Sequence, residues 1–157
     1  MSSRFIADAM LGRLARRLRL LGYDTAYERG ITDAALLARA LKEGRIILTR
    51  DTKLVERKAA LGQSFLILSN DPAGQLKEVF SHFSLEPSLS ALPGRCSVCN
   101  GELEREPDKS AVRDLVPEHV FLNRKDFYRC SGCGRVYWEG SHAERFKKLL
   151  NDIIKNT

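Results

Sequence analysis

Ile46-Ile47-Leu48-Thr49-Arg50-Asp51 is the stretch from which the fold can be read. Three aliphatic residues, two of them β-branched, follow Gly44 and Arg45 and run straight into a polar triplet. A short, continuously apolar run of this kind suits a strand buried on both faces, as in a parallel sheet. Arg4-Phe5-Ile6-Ala7-Asp8 has the same form. Ligands of open α/β sheets bind outside the carboxyl ends of the strands, so Asp8 and Asp51 stand where chemistry is normally done.

Working outward, strand-like and helix-like segments alternate. Leu11, Leu14, Ala15, Leu18 and Leu21 share one face of a helix that Gly22 ends. The arginines Arg13, Arg16, Arg17 and Arg19 are assigned to its opposite side. Tyr23 to Tyr27 is a weak strand. A second helix opens at Thr32 with Ile31 as a staple, an apolar face of Ala34, Leu37, Ala38 and Leu41, and a stop at Gly44. A third helix is expected from Lys53 to Leu61 and a strand over Phe65–Leu68. Asn70-Asp71-Pro72 then leads a fourth helix to about His82. The fold class that follows is α/β, a small doubly wound parallel sheet covered on both faces.

The chain divides at Glu86-Pro87-Ser88-Leu89-Ser90-Ala91-Leu92-Pro93-Gly94-Arg95, where two prolines, two serines and a glycine mark a linker. Residues 1–86 form the first domain, 87–95 the linker and 96–157 the second. All four cysteines lie in the last part. Its polar stretch Glu102 to Asp114 reads as a loop, Val136-Tyr137-Trp138 as a strand, and Ser141 with Glu144 as a capping box opening a helix to about Ile154.

At 157 residues, 43% hydrophobic and 29% charged, the composition is that of a soluble globular protein. No long apolar run offers a membrane span, and a charged residue at Asp8 interrupts any signal-peptide core. The expected location is the cytoplasm, with no membrane partner. A formal charge of +6 permits a nucleic-acid partner without requiring one.

Cys96-Ser97-Val98-Cys99-Asn100-Gly101 and Cys130-Ser131-Gly132-Cys133-Gly134-Arg135 are two copies of one short unit. Each C-x-x-C offers two sulfurs from a tight turn, and Asn100 and Gly134 tolerate the left-handed backbone such a knuckle needs. Together Cys96, Cys99, Cys130 and Cys133 make a four-sulfur structural zinc site with no position left for water. His82, His119 and His142 are not needed as ligands.

Asp8, Asp51 and Asp71 each follow an apolar run, and Asp33 lies in the first turn of a helix. In a parallel sheet these positions share one edge. Carboxylates about 5 Å apart repel by roughly 3 kcal/mol per pair at an effective dielectric near 20, so a convergent cluster needs cations. Hard oxygen ligands suit magnesium or manganese, which can activate water against a phosphodiester. Each aspartate also has a plain structural use: Asp8, Asp51 and Asp33 as helix caps or dipole partners, Asp71 as a turn before proline. Arg13, Arg16, Arg17, Arg50 and Lys53 supply positive charge nearby, either as a solvated face or as phosphate contacts.

Phe5-Ile6-Ala7-Asp8-Ala9-Met10-Leu11-Gly12, then Leu14-Ala15-Arg16 and Arg19-Leu20-Leu21-Gly22-Tyr23-Asp24, resembles the opening of the Mut-seven C-terminal RNase family. Ile47-Leu48-Thr49-Arg50-Asp51 resembles its second signature. The two cysteine pairs with Tyr137-Trp138-Glu139-Gly140-Ser141-His142 resemble its zinc ribbon. The resemblance implies a PIN-like nuclease domain fused to a zinc ribbon, and metal-dependent cleavage of single-stranded or structured RNA. It implies that Asp8, Asp33 and Asp51, with Asp71 as the loosest match, are catalytic and hold one or two magnesium or manganese ions. Arg17 departs from the family's opening motif, which carries tryptophan there. The competing expectations are a nonenzymatic RNA- or ribosome-binding module and, with less support, a phospho-acceptor or small phosphatase using Asp8 or Asp51.

Overall fold

A computed structural model of the chain describes residues 2–60 and 62–156. Four strands, β1 (Phe5–Ala7), β2 (Thr25–Tyr27), β3 (Ile46–Thr49) and β4 (Ser64–Leu66), form a wholly parallel sheet in the order β2-β1-β3-β4. Register is set by Ala7 opposite both Tyr27 and Leu48, and by Thr49 opposite Leu66.

Helices cover both faces, as the apolar strands require. On one side α1 (Gly12–Leu20) and α4 (Pro72–Phe83) bury Leu14, Ala15, Leu18, Leu76 and Val79 against Phe5, Ala7 and Leu48. On the other, α2 (Asp33–Glu43) and α3 (Thr52–Val55) bury Leu36, Leu37, Ala40 and Leu54 against Ile6, Ala26 and Ile47. A leucine fully buried in this way contributes about 1.5–3 kcal/mol.

Several local expectations are corrected. The buried face of α2 is Leu36, Leu37 and Ala40, while Ala34, Ala38 and Leu41 face solvent. Both stripes have helical spacing, and packing against Ile6 and Ile47 chooses between them. The third helix stops at Val55 and a 3-10 turn follows over Lys58–Ala60, because Glu56-Arg57-Lys58 has no apolar side chain to seat. Leu61 lies outside the described residues. Arg19 is not on the exposed face of α1: it is 4% exposed.

The second part is a three-stranded antiparallel sheet, β5 (Leu103–Arg105), β6 (Phe127–Cys130) and β7 (Val136–Trp138), in that order. Glu102 to Asp114 is therefore not simply a loop: it holds β5 and most of a 3-10 segment, Lys109–Leu115. A short helix α5 (Glu118–Asn123) packs Val120 with Val112, Val116 and Phe127 beneath Trp138. The last helix, α6 (Ser141–Lys155), opens at Gly140 without a side-chain cap, so the Ser141–Glu144 box does not form.

The parts are tied together. Leu92 and the α6 residues Leu150 and Ile153 join the core of α1 and α4. Gly94 donates its amide to Leu20 O at 2.7 Å and lies so close to Gly22 that a Cβ would sit 2.5 Å from the Gly22 Cα. Arg19 donates Nε to Thr25 O at 2.8 Å and Nη1 to Ser97 O and Val98 O at 3.0 and 3.1 Å. The Asn100 side chain accepts from the Thr25 amide and donates to Asp24 Oδ1. The first cysteine knuckle is thus docked on the end of α1 and the start of β2.

Candidate active site and metal centre

The strand order fixes one special place. The chain leaves β1 toward β2 and leaves β3 toward β4, in opposite directions along the sheet. The following helices, α1 and α3, lie on opposite faces. Between the carboxyl ends of β1 and β3 there is consequently a topological switch point, the crevice where open α/β sheets bind ligands. Asp8 follows β1, and Thr49 ends β3 just before Arg50 and Asp51.

Thr49 joins the Asp8 carboxylate to the backbone of Asp51. Its hydroxyl donates to Asp8 Oδ2 at 2.8 Å and accepts from the Asp51 amide at 3.0 Å. Thr49 is fully buried, so this hydroxyl is a fixed strut. Asp8 Oδ1 accepts from the Ala9 amide at 2.6 Å, and its own amide donates to Leu48 O at 2.9 Å. Asp51 caps α3 through Lys53 N at 2.9 Å and is exposed.

The other aspartates share the edge but have separate employment. Asp33, in the first turn of α2, pairs with Arg57 Nη2 at 3.3 Å. Asp71 caps α4 through Gly74 N at 2.9 Å. Among the described residues the aspartates do not form a group of three or more side chains placed to share one ion; the cysteines do. Of the basic residues, Arg13, Arg16 and Lys53 are exposed, and Arg17 and Arg50 are partly buried. Arg50 reaches Asn70 with Nη2 while its Nε is buried without a partner, as is Arg17 Nη1. Burial lowers the Arg17 pKa, opposed by the nearby charge of Asp71. A groove of about 400 Å³ starts at Ala9, one residue past Asp8, and is lined by Met10, Arg13, Tyr27, Arg50, Asn70 and Gln75 but by none of the four aspartates. Tyr27 closes one wall by donating its hydroxyl to Ala9 O at 2.8 Å.

The cysteines converge as their spacing predicts. Sulfurs of Cys96, Cys99, Cys130 and Cys133 all lie within 4.8 Å of one another, with Cys96–Cys133 at 3.7 Å and Cys99–Cys130 at 3.3 Å. Disulfides need about 2.05 Å, whereas an ion with sulfurs at about 2.3 Å gives a tetrahedron with edges near 3.8 Å. Both knuckles have the expected backbone: Asn100 at φ 69° and Gly134 at φ 77° return their amides to Cys96 O and Cys130 O. Burial raises the Cys96 pKa, but the Tyr137 hydroxyl at 3.0 Å and the amides of Cys99 and Val98 outweigh it and bring it to about 6. Desolvation and the shared Cys130 hydrogen bond push Cys99 up to about 12. Thiols this close cannot all ionise alone; a divalent cation is what lets them. The donor set fits such an ion with no open position.

A family model described as the Mut7-C RNAse domain matches residues 3–150, which include both carboxylate strand ends and all four cysteines. The chain belongs to that family. The human protein named exonuclease mut-7 homolog is 23% identical over a 230-residue alignment covering 98% of this chain and 26% of that protein. The chain thus spans about a quarter of the length of this curated relative. Thr49 and Asn70 make contacts at this edge that were not expected from the sequence, to Asp8 and Arg50 respectively. Thr49 stood at the polar end of the β3 run, where a buried hydroxyl must find partners. Asn70 had no signal beyond its place next to Asp71.

Proposed function

We propose that the chain is a PIN-like, metal-dependent ribonuclease whose reaction centre lies at the switch point between β1 and β3. The observation that carries this reading is the Thr49 hydroxyl joining Asp8 and the Asp51 backbone at that crevice. Membership of an RNAse domain family supports RNA as substrate, and the name of the human relative supports nuclease chemistry. Asp8 and Asp51 would hold one or two magnesium or manganese ions, which would supply Lewis acidity and an activated water; Asp33 and Asp71 would join them only by leaving Arg57 and the α4 cap. The chain's own contribution is positioning. Thr49 orients Asp8, the α3 amide orients Asp51, and Arg50, on the wall of the groove, would contact a phosphate through its guanidinium edge, while Arg17 is partly buried. Arg13, Arg16 and Lys53 hold the strand electrostatically. The four cysteines hold one structural zinc.

The test is cleavage of single-stranded RNA in manganese by the parent and by Asp8→Asn with Asp51→Asn. The parent cuts and the double variant does not. Equal cutting by both would place the chemistry elsewhere. Salt-dependent RNA binding with no metal-dependent cleavage by the parent would favour a binding module, a reading supported by the structural duties Asp33, Asp51 and Asp71 already have as salt-bridge partner and caps.

A further inference from the structure

A large cleft in the second part of the chain has no task in the mechanism above. It measures about 750 Å³ and lies between β7, α5 and the start of α6. Tyr137 and Trp138 line it together with Arg124, Arg135, His119 and His142, and no aspartate or glutamate does among the described residues. The nearby Glu139 is engaged by Lys147. Two further hollows meet at Trp138, one reaching Leu92 and Phe146, the other Val98 and Cys133.

The walls are held firmly. Trp138 packs against Phe127 with ring centroids 6.5 Å apart and stands over the Val112, Val116 and Val120 cluster. A Cβ on Gly140 would sit 3.1 Å from the indole Nε1, so glycine lets the ring lie against the turn. The Tyr137 hydroxyl accepts from the Ser97 amide at 3.0 Å and contacts the Cys96 sulfur, pinning the other wall to the metal centre. The first residues of α6, Ser141 to Ala143, also line the cleft, and this 15-residue helix has no side-chain cap.

An aromatic plate, two arginines, two histidines and the positive end of a helix match one ligand chemistry, a nucleobase with its phosphates. An acidic peptide would use the cations but leave the indole idle. We propose that this cleft is a strand-binding subsite, in which a base of single-stranded RNA stacks on Trp138 and its phosphates lie between Arg124, Arg135 and the first turn of α6. The subsite rests on the reading of RNA as the substrate class, but none of its residues belongs to the aspartate edge.

Trp138 is the chain's one tryptophan, so its emission reports the subsite directly. The experiment titrates the full, metal-loaded chain with a twelve-nucleotide adenylate RNA, without added magnesium or manganese. Saturable quenching is expected. Measured by anisotropy of labelled RNA, Trp138→Ala binds about 5- to 150-fold more weakly and Trp138→Phe retains most of the affinity. Arg124→Ala with Arg135→Ala lowers the log–log salt slope by about 1.4. RNA that binds without changing the emission overturns the proposal. So does equal RNA binding by a folded Trp138→Ala, checked by circular dichroism, or equal quenching by inorganic polyphosphate, which has no base. The two readings fail separately: cleavage that ignores Asp8 and Asp51 leaves the quenching intact, and absent quenching leaves the carboxylate test intact.

Discussion

Asp24→Asn should destabilise the protein by about 2 kcal/mol at neutral pH, and that difference should vanish in acid. Asp24 Oδ1 accepts from Arg45 Nη1 at 2.7 Å and from Asn100 Nδ2 at 2.7 Å, and Oδ2 accepts from Arg4 Nε at 3.2 Å. Burial raises its pKa, but these donors outweigh burial and bring it from 3.8 to about 2. At about 1.36 kcal/mol for each pH unit, the ionised carboxylate is worth roughly 2.4 kcal/mol, trimmed to about 2 for solvent screening at a side chain 21% exposed. The asparagine also leaves Arg45, with a side chain 7% exposed, with Glu43 as its remaining carboxylate beside the Phe5 carbonyl. The sign follows from a folded pKa below the unfolded one: the stabilisation is complete above about pH 5 and is lost as pH falls through 4 to 2. Thermal melts of parent and variant at a series of pH values measure it. Their midpoints should differ by about 4–8 °C at pH 7, by about half that near pH 3, and by little at pH 2. Because Asn100 of the cysteine knuckle is one of Asp24's donors, the metal content of parent and variant is measured and matched at each pH. Equal midpoints at neutral pH, or a gap that persists undiminished at pH 2, would refute the role given to this carboxylate.

Two further substitutions probe the joints of the structure. Gly101→Ala places a Cβ 2.7 Å from the Cys130 sulfur and 3.2 Å from that of Cys99; competition with a chromogenic chelator should show about tenfold weaker metal retention. Arg19→Met strands the carbonyls of Thr25, Ser97 and Val98, and urea unfolding should show a loss of about 3 kcal/mol.

The parallel sheet was legible because its strands are short apolar runs that end in charge, a pattern seen at Phe5–Ala7 and Ile46–Thr49 alike. The cysteine centre was legible because two identical knuckles have one economical use. Strands β5 and β6 were not, since Leu103-Glu104-Arg105 and Phe127-Tyr128-Arg129 present charge to solvent and too few apolar residues to show alternation. The α2 face was ambiguous because Leu36, Leu37 and Leu41 serve two overlapping stripes, and only contact with Ile6 and Ile47 decides between them. Arg19 looked like its basic neighbours because its partners are backbone carbonyls, two of them nearly eighty residues away. At the sheet edge, positions of the aspartates could be anticipated but not their connections: Asp8 to Thr49 joins two neighbouring strands that are 41 residues apart in sequence, and no local pattern records it.

The two halves of the molecule depend on one another through the backbone of a single knuckle. Asn100 closes the Cys96 turn at φ 69°, and the same side chain holds the Thr25 amide and Asp24. The carbonyls of Ser97 and Val98, inside that turn, are the far partners of Arg19. Whatever ion fixes the four sulfurs therefore also fixes four polar contacts to the first part of the chain, two at the amino end of β2 and two to Arg19 of α1. Helix α1 begins directly after Asp8 and its 3-10 turn, and ends at the buried Leu21 where Gly94 docks. It is anchored at one end by the candidate reaction centre and at the other by the cysteine knuckle. The cluster of four sulfurs thus anchors the far end of the helix whose near end follows Asp8 and whose exposed side carries Arg13 and Arg16.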